Sequence, residues 1–280
     1  MTRWRLIRSA PSGAFENMAV DEALALGAEG PVLRLYRWSL PSVSIGCFQR
    51  AGDVDPEYLA RSGVPLVRRV TGGRGILHGR DLTYSFSAPA SGDFSGGLRD
   101  CYALIGGALE LALRRLGLEP ETSRAAKPRG RARSPLCFES VSFGELKVGG
   151  RKVVGSAQKR WPGRFMQQGS IPLAVDYEGL RRVFGAGAAE ARASMAGLGE
   201  FKPSLDVEDL ELSLIDAFEE AFGVRFASSS LTPGEESVAE ELIKRYGSPD
   251  WNLRRQAPAR VPAQGSGAPP GLDGPGRLTA

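Results

Sequence analysis

Between Val64 and Ser87 the chain reads as strand, glycine turn, strand, and no other stretch limits its folding as tightly. Val64 to Val70 is rich in strand formers, Thr71-Gly72-Gly73-Arg74-Gly75 breaks the run, and Leu82, Tyr84 and Phe86 then alternate with Thr83, Ser85 and Ser87. Val32 to Trp38 is a further strand. So is Ser42 to Phe48, where Val43, Ile45 and Cys47 alternate with smaller residues, which predicts Cys47 in a core. Helical spacing runs from about Phe15 to Ala28, with Glu16, Asp21 and Glu22 predicted to keep the other face wet. From Leu98 to Leu116 a second apolar stripe includes Cys101, with Arg114 and Arg115 near the negative end of the helix dipole.

In the second half, Gly149-Gly150 separates Gly144 to Val148 from Arg151 to Ala157. A two-glycine linker suits a hairpin turn that needs positive φ, so Lys152 is expected just beyond it. Phe165 to Val175 continues a sheet, and helices are predicted at Tyr177 to Phe184, Val207 to Phe222 and Pro233 to Tyr246. The order of elements is α/β, of the mixed α+β kind.

A chain of 280 residues that is 42% hydrophobic can bury one large core, and a single domain over 1–255 is sufficient. Gln256 to Ala280 is crowded with Pro, Gly and Ala; it cannot offset the entropy of ordering itself and is expected to be a disordered tail. Met1 to Ala14 has three arginines but no continuous apolar run of the signal-peptide kind, and no later run approaches membrane-spanning length, so a cytoplasmic protein without membrane association is expected. The formal charge of +4 is too mild to argue for nucleic acid. Between Arg124 and Arg133 five basic residues occur with no acidic one. That stretch reads either as a solvated loop or as a dock for an acidic partner.

Counting removes several chemistries. With one histidine, His78, and cysteines only at 47, 101 and 137, no ligand pair has zinc-like spacing, and no metal is expected. No GxxxxGK[ST] loop occurs, and a Ser-His-Asp triad would depend on His78 without a GxSxG elbow to support it. Three widely separated cysteines point to free thiols. Cys137 stands apart, in a proline-entered loop that follows the basic stretch. It is either a small buried hydrophobe or a thiolate nucleophile favoured by a cation such as Lys152. The glycine turn likewise has two readings: a tight strand connection, or a ligand loop in which Gly72, Gly73 and Gly75 let backbone amides approach while Arg69 and Arg74 hold an anion or an amide.

Arg68-Arg69-Val70-Thr71-Gly72-Gly73-Arg74-Gly75-Ile76-Leu77-His78, followed by Asp81-Leu82-Thr83-Tyr84-Ser85, closely resembles the RR-x-TGGR-A-V-L-H-x-x-E-LTYS signature of the biotin/lipoate protein ligase superfamily. Arg74, where the ATP-dependent ligases usually carry a third glycine, is similar to the cysteine-dependent octanoyltransferases. Cys137-Phe138-Glu139-Ser140, Glu145-Leu146 and Gly150-Arg151-Lys152-Val153-Val154-Gly155-Ser156-Ala157-Gln158 resemble that group's ACF-D-x-P, YEL and GRK-V-x-GSAQ blocks, and Asn17-Met18-Ala19, Asp21-Glu22 and Trp251-Asn252 also match.

The resemblance spans about Trp4 to Arg255 and implies a larger and a smaller mixed sheet flanked by helices. It implies an acyl chain near the glycine turn, with Arg69, Gly72, Gly73, Arg74, His78, Gly155, Ser156 and Ala157 binding substrate. Cys137 would be the acyl-thioester nucleophile, and Lys152 would lower its thiol pKa and contact the carbonyl. The donor would be octanoyl-acyl carrier protein, and the acceptor a lysine of a lipoyl-domain protein such as glycine cleavage H protein or a 2-oxoacid dehydrogenase E2. No cofactor would be required. An ATP-dependent lipoate ligase and a non-catalytic lipoyl- or acyl-carrier-binding homologue are the rival readings. Gln168 stands where the family commonly has histidine, and Gly75 where it has alanine.

Overall fold

The structure is a computed structural model and describes residues 2–122, 145–185 and 190–255. In chain order the strands are β1 (Arg3–Arg8), β2 (Val32–Tyr36), β3 (Ser42–Ile45), β4 (Leu66–Arg68), β5 (Ile76–His78), β6 (Asp81–Pro89), β7 (Pro120–Thr122), β8 (Leu146–Val148), β9 (Arg151–Trp161), β10 (Arg164–Pro172) and β11 (Arg225–Ser228). The helices are α1 (Ala14–Gly27), α2 (Pro56–Ser62), α3 (Leu98–Arg115), α4 (Tyr177–Phe184), α5 (Ala191–Ser194), α6 (Val207–Phe222) and α7 (Pro233–Tyr246). None of the described helices is long and apolar enough to cross a membrane. Cys137, the basic stretch Arg124 to Arg133 and the tail Gln256 to Ala280 lie outside the described residues.

Two sheets form, as the resemblance implies. The larger has the order β11-β1-β2-β6-β10-β9-β8-β7 and the smaller β4-β3-β5. Both are mixed: β1 runs parallel to its two neighbours, β3 runs parallel to β4 and antiparallel to β5, and the remaining pairs are antiparallel. The β8–β9 hairpin turns through Gly149 and Gly150 at φ of 54° and 73°, a geometry glycine adopts without the steric penalty of a Cβ.

The period-two alternation of the large sheet sorts two kinds of side chain. Leu33, Leu35, Leu82, Tyr84, Phe86, Phe165 and Ile171 join one core with residues of α3 and α6. On the opposite face Arg34 and Gln168 reach Asp21 of α1, which itself packs on α7. The central strands are therefore buried on both faces, and the alternation records two different coverings, not core against solvent.

That sandwiching corrects the reading of α1. Glu16 is exposed as predicted, but Asp21 and Glu22 are buried. Asp21 takes a 2.7 Å bond from Arg34 and one of 2.7 Å from the Tyr36 hydroxyl; Glu22 accepts from Arg245 and, at 2.6 Å, from Tyr246. The polar face meets a sheet and a helix instead of water, and buried charge is tolerated there because it is paired.

Cys47 needs a second correction. β3 ends at Ile45, and Cys47 is half-buried beyond it, whereas Cys101 is buried in α3 as expected. The strand stops because Gly46 crosses the glycine turn: a Cβ there would lie 2.1 Å from the Gly73 carbonyl oxygen. Backbone meets backbone at that crossing, so neither side can yield by a rotamer change. Gly46→Ala is expected to cost about 1–3 kcal/mol, as overpacking does. Urea unfolding monitored by circular dichroism checks this, and an unchanged midpoint would show that the two loops can separate freely.

Candidate active site

The glycine turn is built from inside by Arg69. Its guanidinium donates to Ser44 Oγ at 2.7 Å, to the Gly72 carbonyl at 3.1 Å and to the Arg74 carbonyl at 2.9 Å, which ties the turn to β3. Gly73 takes φ of 91°. Gly75 lies under Phe184 of α4, where a Cβ would come within 2.2 Å of the ring, so the usual alanine would require that ring to move.

The neighbouring Arg68 has a different task. It is buried and donates to the carbonyls of Gly46, Cys47, Gln49, Trp251 and Asn252, while Trp251 Nε1 returns a 2.7 Å bond to the Arg68 carbonyl. This arginine therefore clamps the C-terminal Asp250–Arg254 turn to the small sheet. The paired Arg68-Arg69 motif divides into a clamp and a brace.

His78 sits at the end of β5 with its ring stacked on Trp38, centroids 3.9 Å apart and planes 17° from parallel. Nδ1 lies 2.8 Å from Asp81 Oδ2 and Nε2 lies 2.7 Å from Ser44 Oγ. Nδ1–H donates to Asp81, while Nε2 meets Ser44 Oγ, which also accepts from Arg69. Asp81 also accepts from Thr83, Ser170 and the Gly79 N–H. Burial raises its carboxyl, but His78, Ser170 and the Gly79 amide outweigh that and hold it below the usual carboxylate range.

A carboxyl depressed by folding adds stability above its unfolded pKa, and that stability is lost as pH falls through the native value. Acidification below about pH 4 should therefore lower the melting temperature of the wild type more steeply than that of Asp81→Asn. Melts between neutral pH and pH 2 test this; parallel slopes would contradict it.

From the large sheet come Gly155, Ser156 and Ala157 of β9 beside Gln168, Gly169 and Ser170 of β10. Burial pushes the Tyr84 phenol up to about 12, so it stays neutral and can share a proton with Ser156 Oγ at 2.8 Å. Gly169 has no room for a side chain: a Cβ would fall 2.4 Å from the Tyr84 ring. Gln168 joins three elements. It accepts from Thr71 Oγ1 at 2.9 Å and donates to Asp21 Oδ2 at 3.1 Å and to Met18 Sδ at 3.6 Å.

These strands enclose a cavity lined by Met18, Tyr36, Trp38, Arg69, Ile76, His78, Thr83, Gly155, Ser156, Ala157, Gln168, Gly169 and Ser170. Of the substrate contacts expected from sequence, Arg69, His78, Gly155, Ser156 and Ala157 thus lie together. Gly72, Gly73 and Arg74 do not line it; they form the outer, partly exposed side of the turn. Met18, Tyr36 and Gln168 come from α1, β2 and β10, and Trp38 from just beyond β2; only the Asn17-Met18 and Gln168 motif positions hinted at any of them.

Lys152, second residue of β9, is buried, and its Nζ donates to Glu145 Oε1 at 2.6 Å. Its carbonyl accepts from Ala196 N, fixing the strand start against the segment after α5. Glu145 was visible only as part of a motif. In the structure it is the counter-ion of the proposed catalytic cation.

Residues 13–219 match the family model of the lipoyl protein ligase A/B catalytic domain. The chain is 38% identical to octanoyltransferase LipM of Kyrpidia tusciae, over 91% of this chain and 100% of that one, and 32% identical to octanoyltransferase LipM of Staphylococcus aureus, over 90% and 99%. The chain belongs to the lipoyl protein ligase A/B family. Solved structures agree with this membership in the fold. A lipoate-protein ligase A bound with ATP superposes with a TM-score of 0.78 at 25% identity, covering 91% of this chain and 100% of that one. A bipartite lipoate protein ligase system of Thermoplasma acidophilum gives 0.80 at 24%, covering 93% and 100%. The large and small sheets of this family member therefore have the arrangement that its motifs imply.

Proposed function

We propose that the protein transfers an octanoyl group from octanoyl-acyl carrier protein to a lysine of a lipoyl-domain protein, through a thioester on Cys137, in the making of lipoyl groups. The observation that carries this reading is the full-length similarity to octanoyltransferases, whose motif positions here place Arg69, His78 and Gly155–Ala157 around one cavity. A thioester donor is already activated. The Cys137 thiolate attacks its carbonyl and expels the carrier thiol; the acceptor ε-amine then attacks the acyl-enzyme and releases the cysteine. Lys152 would stabilise the thiolate and the charge gathering on the carbonyl oxygen. Glycine cleavage H protein or a 2-oxoacid dehydrogenase E2 is the acceptor of this reading, and the cytoplasm its location.

The structural relative bound with ATP favours one alternative, adenylation of a free acid, with Lys152 contacting the adenylate. Nucleotide dependence separates the two. Intact-mass measurement after mixing with octanoyl-acyl carrier protein, without nucleotide, should show one octanoyl addition. Acylation of the lipoyl domain only when ATP and a free fatty acid are supplied would replace transfer by ligation.

A further inference from the structure

Next to the acyl cavity the molecule carries a second, larger cleft of about 890 Å³, open to solvent. Its basic side chains come from three separate places: Arg37 just after β2, Arg80 in the β5–β6 turn and Arg192 in α5. Three acidic residues also line it, and each is engaged. Asp81 turns inward to His78 and Ser170; Glu200 accepts from Arg151, Tyr177 and the Gly197 N–H; Asp206 caps α6 through Asp209 N. The arginines differ. All three are exposed and, among the described residues, none donates a side-chain hydrogen bond or joins an ion pair, Arg192 only lying over the Tyr177 ring at 4.4 Å.

The inner end of this cleft leads toward the acyl cavity. Arg80, Asp81, Ala174 and Val175 line both the cleft and a small pocket, and Ile76 and Ser170 line both that pocket and the acyl cavity. Met195, on the small pocket's wall, forms a bridge with Lys152 at the start of β9. An anion held by the arginines would therefore sit in a cleft that shares Asp81 with the small pocket, which in turn shares Ile76 and Ser170 with the cavity.

We infer that this arginine cleft receives the phosphodiester of the prosthetic arm on the acyl-donating carrier protein. The inference rests on the octanoyl-transfer reading. A compact anion with several oxygens suits a cleft lined by guanidinium groups, which bind phosphate in paired hydrogen bonds. The lysine acceptor is the poorer fit, because it brings a cation to the reaction.

The test measures binding of labelled holo-carrier protein to the full-length chain by fluorescence anisotropy, for the wild type and for Arg37→Gln/Arg80→Gln/Arg192→Gln. The triple variant should lose about ten-fold or more in affinity, the size expected for losing charged hydrogen bonds. Free phosphopantetheine should compete on the wild type and pantetheine should not. Unchanged binding by the triple variant would overturn the inference, as would a loss confined to the lipoyl domain, or apo-carrier binding as tightly as holo. The backbone contacts of Arg37 and Arg80 survive these substitutions; if the triple variant melts early, Arg80→Gln alone carries the same test. An arginine-dependent complex that gains no octanoyl mass would keep the cleft and remove the transfer reading. An adduct formed equally by both proteins would do the reverse.

Discussion

Cys137→Ser is expected to abolish octanoyl transfer, with a loss on the order of a thousand-fold or more, the scale seen when a nucleophile is removed. A thiol reaches its reactive anion near neutral pH when a cation stands close, whereas a serine hydroxyl would need a general base as well. His78 is the single histidine, and it is occupied between Asp81 and Ser44, so it is poorly placed to activate a replacement hydroxyl. The measurement is intact mass together with acylation of the lipoyl domain. Cys47→Ser and Cys101→Ser should keep the adduct, since one residue is a half-buried turn residue and the other packs inside α3. Normal transfer by Cys137→Ser would end the thioester mechanism.

Replacing Lys152 should have the next largest effect, and Glu145 gives it a signed control. The two form a buried ion pair at 2.6 Å, so any field that Lys152 exerts on the Cys137 thiol in the proposed mechanism would be partly cancelled by its own partner. Lys152→Ala should move the pH profile of Cys137 alkylation upward by about one unit or more, as loss of a close opposite charge does. Glu145→Gln should move it downward, because the amide can still accept from Nζ but no longer cancels its charge. Breaking a buried pair also costs about 3–5 kcal/mol, so Lys152→Ala is best read beside Lys152→Ala/Glu145→Gln, which leaves no lone buried carboxylate. Identical alkylation profiles in all four proteins would confine Lys152 to a structural or ligand-holding role.

Some elements could be read directly from local chemistry. The predicted bounds of α4, α6 and α7 coincide with the observed ones, and each helix begins with a side chain that bonds to its first turn: Asp176 to Gly179 N, Asp206 to Asp209 N, Thr232 to Glu235 N. Gly149-Gly150 had one economical geometry and adopts it. β1 was not read as a strand, because Arg3, Arg5 and Arg8 obscure the pattern of Trp4, Leu6 and Ile7. Arg5 pairs with Glu235, 230 positions away, and Arg8 with Glu211, 203 away, and no local pattern announces such partners.

The order of motifs by itself determined the family, the two-sheet architecture and five of the residues that line the cavity, because glycine turns, hairpins and caps obey short-range sterics and hydrogen bonding. Tertiary structure alone decided which motif residues share a cavity. Gly72, Gly73 and Arg74 belong to the same turn as Arg69 yet stay on its outer side, since that turn packs against Gly46 and is braced from within by a guanidinium. Gln168 and Asp21 are far apart in the chain and meet at 3.1 Å because the central sheet is covered on both faces, which turns a helix surface that looked wet into buried, paired charge. Periodicity reports that a side chain has a face. What covers that face is decided by long-range packing, where burial penalties fall on every unpaired polar group at once.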